Sequence, residues 1–211
     1  MLPILVVMIG LWAATSLGAQ PASQPRAAEP LIIDLRGNGV AMTSPDRGVL
    51  IDVDGDGARE QVSWTTSNGD DAILCLDYNK NGRIDVPFEL IGGTLGPPNA
   101  FDFLSAVDGI ISRGRPERVA SRRPDGYIDS SDAIYADLIL WVDSNGNAVS
   151  EDEELQGLQH ASVVRLSVAR DPLEVGDSFG NRTRSRGSAR LVGTAGGPFD
   201  VEMVTVSLAR Q

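Results

Sequence analysis

Two residue types that much protein chemistry depends on are almost missing. The 211-residue chain has one cysteine and one histidine. A single Cys75 cannot close an intramolecular disulfide. It sits in the apolar run Ala72-Ile73-Leu74-Cys75-Leu76, where a small core residue is expected. His160 has no motif around it and reads as a surface or helix-end residue. No HExxH, GxSxG or phosphate-loop pattern occurs, so conventional catalysis finds little support and no enzyme is expected. Paired carboxylates of the glycosidase kind carry no information here, because any two acids of so acidic a chain could be nominated.

Positive charge is also scarce. Eighteen Lys and Arg face 29 Asp and Glu, for a net charge of -11. Such a surface repels nucleic-acid phosphates and anionic lipid and attracts cations. Long apolar runs are limited to Leu2–Ala14, which is short for a membrane span and typical of an export signal. Small residues Ser16, Gly18 and Ala19 follow, although no Lys or Arg precedes the run. Residues 1–19 are therefore expected to be a signal peptide and 20–29 a Pro/Ala-rich linker. Residues 30–211 are expected to form one domain, secreted or periplasmic, with no stable membrane span after signal cleavage. The 42% hydrophobic content supplies a core for it.

Short strands are expected at Leu31–Leu35, Val49–Val53, Gln61–Thr65 and Ala72–Leu76, each bounded by Gly and Asp or Asn. Phe101, Leu104 and Val107 recur at three-residue spacing and predict a helix over Asn99–Val107. Further helices are expected at Ser130–Ala136, capped by Ser130 or Ser131, and at Glu151–Leu158, with acids in its first turn. Residues 109–123 read as an Arg-rich surface insertion. Past Val163, alternation of apolar and polar residues and the Gly180-Asn181 turn predict an antiparallel β unit. Its Arg182, Arg184, Arg186 and Arg190 are expected on one solvated or self-paired face. The expected class is α+β: short strands and helices organised around calcium loops, with a C-terminal antiparallel β unit.

The acids are not scattered. Calcium takes six to eight oxygens, and a twelve-residue EF-hand loop supplies them from positions 1, 3, 5, 7, 9 and 12, with glycine at 6. In Asp143–Glu154, Asp143, Asn145 and Asn147 fill positions 1, 3 and 5. Val149 offers its carbonyl, Glu151 stands at 9 and Glu154 at 12; position 6 is Ala148, at a cost of about 1 kcal/mol if a left-handed backbone is required there. In the second loop, Asp77, Asn79, Asn81, Gly82 and Asp85 match, Arg83 offers its carbonyl, and the closing Glu89 comes one residue late, beyond Pro87. A third run places Asp52, Asp54 and Asp56 on one tight turn with Glu60 at position 9, but position 12 is Ser63. The fourth is a half-loop of Asp125, Asp129 and Asp132, with Asp108 as a displaced first ligand across the insertion. Asx-turns alone would favour Asp, Asn and Gly, but they do not explain Glu89 and Glu154 at loop ends. The expected cofactor is Ca2+.

The order of these segments resembles one known module. IDVDGDGAREQVSW, LDYNKNGRIDVPFELIGG, NAFDFLSAVD, DGYIDSSDAIYADLILWVDSNGNAVSEDEELQGL and GNRTRSR together are similar to the EF-hand-like calcium domain of secreted bacterial proteins, which also serves as the self-processing module of RTX-type iron-regulated proteins. The resemblance covers about residues 30–208. It implies a calcium-binding module with a structural or interaction role and an extracellular or cell-surface protein as partner. In the self-processing relatives, calcium triggers cleavage of an Asp-Pro bond before the first strand. The matching bond here is Glu29-Pro30, and glutamate would need a larger cyclic anhydride than aspartate. Self-processing next to Pro30 is thus the disfavoured alternative.

Overall fold

The computed structural model describes residues 28–67, 69–93, 99–110, 123–193 and 197–211. The expected signal peptide, nearly all of the linker and residues 111–122 of the insertion lie outside them.

Eleven strands and one α-helix run along the described chain: β1 (Leu31–Asp34), β2 (Val49–Ile51), β3 (Glu60–Val62), β4 (Asp71–Leu76), α1 (Ala100–Val107), β5 (Tyr127–Asp129), β6 (Leu138–Trp141), β7 (Leu155–Gly157), β8 (Val163–Ser167), β9 (Asp171–Gly176), β10 (Arg182–Val192) and β11 (Pro198–Ser207). β2 and β3 pair with each other. The remaining nine form one antiparallel sheet, in the order β5-β8-β10-β11-β1-β4-β6-β7, with β9 also on β10.

The α+β expectation is corrected. Among the described residues β structure dominates, 39% strand against 13% helical, and the sheet curls into a half-barrel. The reason is visible in its central strands. β1 and β4 are continuous apolar runs because both faces of the sheet are covered. Leu31 and Ile33 of β1, with Ala72 and Leu74 of β4, lie in one core, which α1 fills with Phe101 and Leu104. Ile32, Ile73 and Cys75 point the other way, into a second core with Trp64, Ile84, Leu90 and Trp141. Cys75 is fully buried, as a core residue should be, and burial pushes its thiol pKa well up.

The predicted first helix forms, with the Asn99 side chain accepting the Phe101 N–H at 2.9 Å. It packs so closely on β10 that a Cβ at Gly187 would overlap the Phe101 ring. The other two predicted helices do not form. Ser130–Ala136 yields a 3-10 turn at Ala133–Ala136, and no side chain caps it. Glu151–Leu158 yields a 3-10 turn at Asp152–Glu154 and then β7, because Leu155, Gln156 and Gly157 pair with Trp141, Leu140 and Ile139 of β6. An isolated two-turn helix is marginal, and a strand edge beside it offers better-partnered hydrogen bonds.

The C-terminal β unit is antiparallel as expected, and β11 joins it to the N-terminal strands by pairing with β1. A β-bulge between Thr183 and Ser185 interrupts the arginine face. Arg184, Arg186 and Arg190 are paired with Glu174, Glu202 and Asp200, which bears out self-pairing.

Candidate metal centre

Each acidic loop leaves the end of a strand or helix and turns back within a few residues, and all are wired alike. In the Asp143 loop, Asp143 Oδ1 accepts the Gly146 N–H at 2.8 Å and Oδ2 the Ala148 N–H at 2.8 Å. In the Asp77 loop, Oδ2 accepts from Gly82 N–H at 2.8 Å. In the Asp52 loop, Oδ1 accepts from Gly55 and Oδ2 from Gly57. The broken loop repeats the pattern across its insertion, with Asp108 Oδ2 accepting the Gly126 N–H at 2.8 Å. Asp108 thus stands in the place of the first aspartate, as expected of the displaced first ligand.

A fifth loop was not foreseen. Asp34, at the end of β1, accepts from Gly37 through Oδ1 and from Gly39 through Oδ2. Its third position is Arg36, which offers no oxygen side chain. The residue donating to Oδ2 has positive φ in all five loops: Gly39, Gly57, Gly82, Gly126 and Ala148, the last at 52°.

In the Asp143 and Asp77 loops the side-chain donors are brought together. Glu151 accepts from the Asn145 and Asn147 side-chain amides at 3.3 and 2.9 Å, so positions 3, 5 and 9 converge. Asp85 accepts likewise from Asn79 and Asn81. Both closing glutamates end a 3-10 turn and are buried. Glu89 reaches back to the Asn79 N–H at 3.5 Å and takes the Asp85 N–H at 2.9 Å, so the Pro87 turn absorbs its one-residue delay. Glu154 accepts the Ser144 N–H and hydroxyl, both at 2.8 Å, and the Trp141 indole N–H at 3.2 Å. Burial works to raise its pKa, and the bonds from Ser144 and Trp141 outweigh that and hold it below the usual carboxylate range. In the half-loop, Asp129 accepts from Ser131, Asp125 from Tyr127 N–H, and Asp132 from the Gly109 and Asp129 N–H groups. The side chains of Val149 and Arg83 are exposed, and the structure assigns no bond to either carbonyl.

The tightest cluster is Asp52, Asp54, Asp56 and Glu60, whose four nearest oxygens all lie within 4.8 Å of one another. Glu60 also accepts the Val53 N–H. Asp54 is almost buried. Its Oδ2 pairs with Arg210 at 2.9 Å and its Oδ1 has no partner. An orphaned buried carboxylate oxygen is costly, and a cation among these four acids would satisfy it. The donors are all oxygen, which suits a hard divalent cation and not zinc.

Sequence reasoning puts Ile84 at the eighth position that pairs adjacent loops, and misses Trp64 and Ser150, which join loops to core and to each other. Trp64, from the stretch after β3, donates its indole N–H to Asp143 Oδ2 at 2.8 Å, and its ring meets Trp141 edge-on at 5.6 Å. Ser150 Oγ accepts the Ile84 N–H at 2.8 Å and returns a bond to the Ile84 carbonyl, so the eighth positions of the Asp77 and Asp143 loops lie side by side. The Trp64 bond and the choice of Ser150 as partner leave no local spacing signal. Of the apolar residues flanking the loops, Ile84, Ile128, Leu140 and Trp141 are buried, and Phe88 and Leu155 are half-buried.

The SPM domain model matches residues 31–203. The chain belongs to the SPM domain family. It is also similar to the iron-regulated protein FrpA of Neisseria meningitidis serogroup C, at 27% identity over 183 residues, 84% of this chain and 15% of the relative. The chain therefore spans a small part of that relative's length, and the link to iron-regulated proteins read from the segment order is borne out. His160, exposed in a turn, takes no part in any loop of this SPM domain. Among the described residues no helix is long and apolar enough to cross a membrane.

Proposed function

We propose that this SPM domain is an exported calcium-binding module whose loops are set by the ion, serving a structural or interaction role outside the cytoplasm and not a catalytic one. The observation that carries the reading is the repeated wiring. Five first-position aspartates accept the N–H of a left-handed residue at position 6 or its equivalent. Support also comes from the orphaned Asp54 Oδ1 and from the two buried closing glutamates. Asp143, Asn145, Asn147, Glu151 and Glu154 would hold one ion, with the Val149 carbonyl. Asp77, Asn79, Asn81, Asp85 and Glu89 would hold a second, with the Arg83 carbonyl, and Asp52, Asp54, Asp56 and Glu60 a third. Asp108, Asp125, Asp129 and Asp132 form a weaker candidate. Bound calcium supplies the countercharge that lets these carboxylates converge, so binding energy becomes folding energy.

Trp64 and Trp141 make this testable, because their indoles bond directly to Asp143 and Glu154. Calcium added to chelator-treated protein is expected to change tryptophan fluorescence saturably, with magnesium far less effective. Glu154→Ala should weaken the response by at least roughly tenfold, since it removes a bidentate ligand. A flat titration on folded protein would overturn the reading.

The self-processing alternative turns on Glu29. It leads directly into β1, its N–H donates to the Gly92 carbonyl at 2.8 Å, and its carboxylate lies 3.5 Å from Arg184. The site is thus ordered but carries the wrong acid for a five-membered anhydride. Calcium is expected to leave the chain intact on denaturing gels. Calcium-dependent release of a short N-terminal fragment would favour the alternative.

A further inference from the structure

A groove of about 380 Å3 opens where the Asp52, Asp77 and Asp143 loops meet. Leu90 and Trp141, both buried, form part of its lining, while Leu50 and Val149 stand 56% and 50% exposed along it. Large apolar side chains held in water beside a cleft mark a surface that gains by being covered. The groove also carries Arg59 and Arg83, both exposed. Among the described residues neither guanidinium has an ion pair or hydrogen bond, whereas Arg184, Arg190 and Arg210 each pair with an acid. Two uncommitted guanidiniums thus stand beside an apolar cleft in a chain of net charge -11. The two carboxylates that share the groove's lining are already engaged within their own loops. Asp52 is taken up by the Gly55 and Gly57 N–H groups, and Asp85 by the Asn79 and Asn81 amides.

We propose that this groove is a docking site for an extended acidic-apolar segment of a partner protein, its apolar side chains lying against Leu50 and Val149 and its carboxylates pairing with Arg59 and Arg83. Charge complementarity selects that occupant. Guanidinium forks pair with carboxylates, and a rim of like charge turns basic segments away. All three loops that wall the groove are candidate calcium loops, so the docking rests on the calcium reading and is stronger with calcium bound.

The test uses the full chain and a short fluorescein-labelled peptide, a Leu-Val pair flanked by aspartates, against the same peptide with lysines instead. Fluorescence anisotropy in calcium is expected to show binding of the acidic peptide alone. The double variant Arg59→Glu, Arg83→Glu should weaken it by roughly tenfold or more, and Val149→Asp likewise. Parent and variants are compared at saturating calcium, and calorimetry reports their calcium binding separately, because Arg83 and Val149 also offer backbone carbonyls to the loops. Equal binding of both peptides, no binding by calcium-loaded protein, or indifference to these variants would overturn the proposal. So would dimerisation in calcium that Arg83→Glu abolishes, since the occupant would then be a second copy. Acidic-peptide binding that follows the variants in a chain that binds no calcium would uphold the groove and overturn the calcium reading instead.

Discussion

At the scale of single residues, backbone conformation and buried charge decide what each loop tolerates. Ala148 has φ 52° where the other four loops have glycine. An L side chain there costs on the order of 1 kcal/mol. Ala148→Gly is therefore expected to raise the calcium affinity of the Asp143 loop about fivefold, as calorimetry would show; an unchanged affinity would mean the strain is relieved elsewhere. Asp71 shows the opposite problem. It faces Asp34 across the β1–β4 pairing and is nearly buried, with one oxygen bonded to the Ala41 N–H and the other orphaned. Burial first, then its neighbours Asp70 and Asp34, push its pKa up from 3.8 to about 6 against the lowering effect of the Ala41 bond. The folded state thus binds this proton more tightly than the unfolded chain. Its contribution is fully present below pH about 4 and is lost as pH rises through about 6. Asp71→Asn keeps an acceptor for Ala41 and removes the charge. At neutral pH it should stabilise the calcium-free protein by about 1 kcal/mol, with solvent screening allowed for, and give no gain at pH 4. Melting curves at both pH values test this.

Elements are decided by what they pack against. α1 has the apolar spacing of a helix and becomes one, because Phe101 and Leu104 fill the curl of the sheet. That fit depends on a bare backbone at Gly187. Gly187→Ala would press its methyl into the Phe101 ring and is expected to destabilise the domain by about 1–3 kcal/mol. A thermal midpoint equal to the parent's would show that α1 shifts at no cost. Glu151–Leu158 has an equally helical pattern but meets the edge of β6 and becomes a strand. Its acids, suited to a helix N-terminus, serve the loop instead: Glu151 meets Asn145 and Asn147, and Glu154 meets Ser144 and Trp141.

For the whole molecule, the two cores and the loops are one cooperative system. Trp64 and Trp141 belong to the second core and donate to Asp143 and Glu154, so the state of the Asp143 loop is felt between the sheet and the β2–β3 pair. The stretch after β11 closes on the same side, with the Ser63 N–H bonded to the Ala209 carbonyl and Arg210 paired with Asp54. A ligand that binds only the folded state stabilises it by about 2.7 kcal/mol at a hundredfold excess over its Kd. Chelator is therefore expected to lower the melting temperature by several degrees or more, as calorimetric scans would register. Equal melting with and without calcium would sink the idea of metal-coupled folding.

What the sequence determined by itself is local. The loop donors sit within about a dozen consecutive residues, and their Asp, Asn and Gly spacing reads directly as a turn whose first carboxylate gathers its own N–H groups. Strands β1, β2, β4 and β8 were legible for the same reason, as short apolar or alternating runs between turn residues. What only the tertiary structure decided is non-local. Placing β11 beside β1 joins residues 31 and 205 in one sheet, which turned an expected α+β arrangement with a C-terminal β unit into a curled nine-stranded sheet. The pairing of Ile84 with Ser150, the Trp64 bond to Asp143 and the Asp108 closure across the insertion likewise depend on which segments meet. A one-dimensional pattern records what a residue needs nearby, such as an apolar face or a hydrogen-bond partner, whereas which distant segment supplies it is settled by packing both faces of the sheet at once.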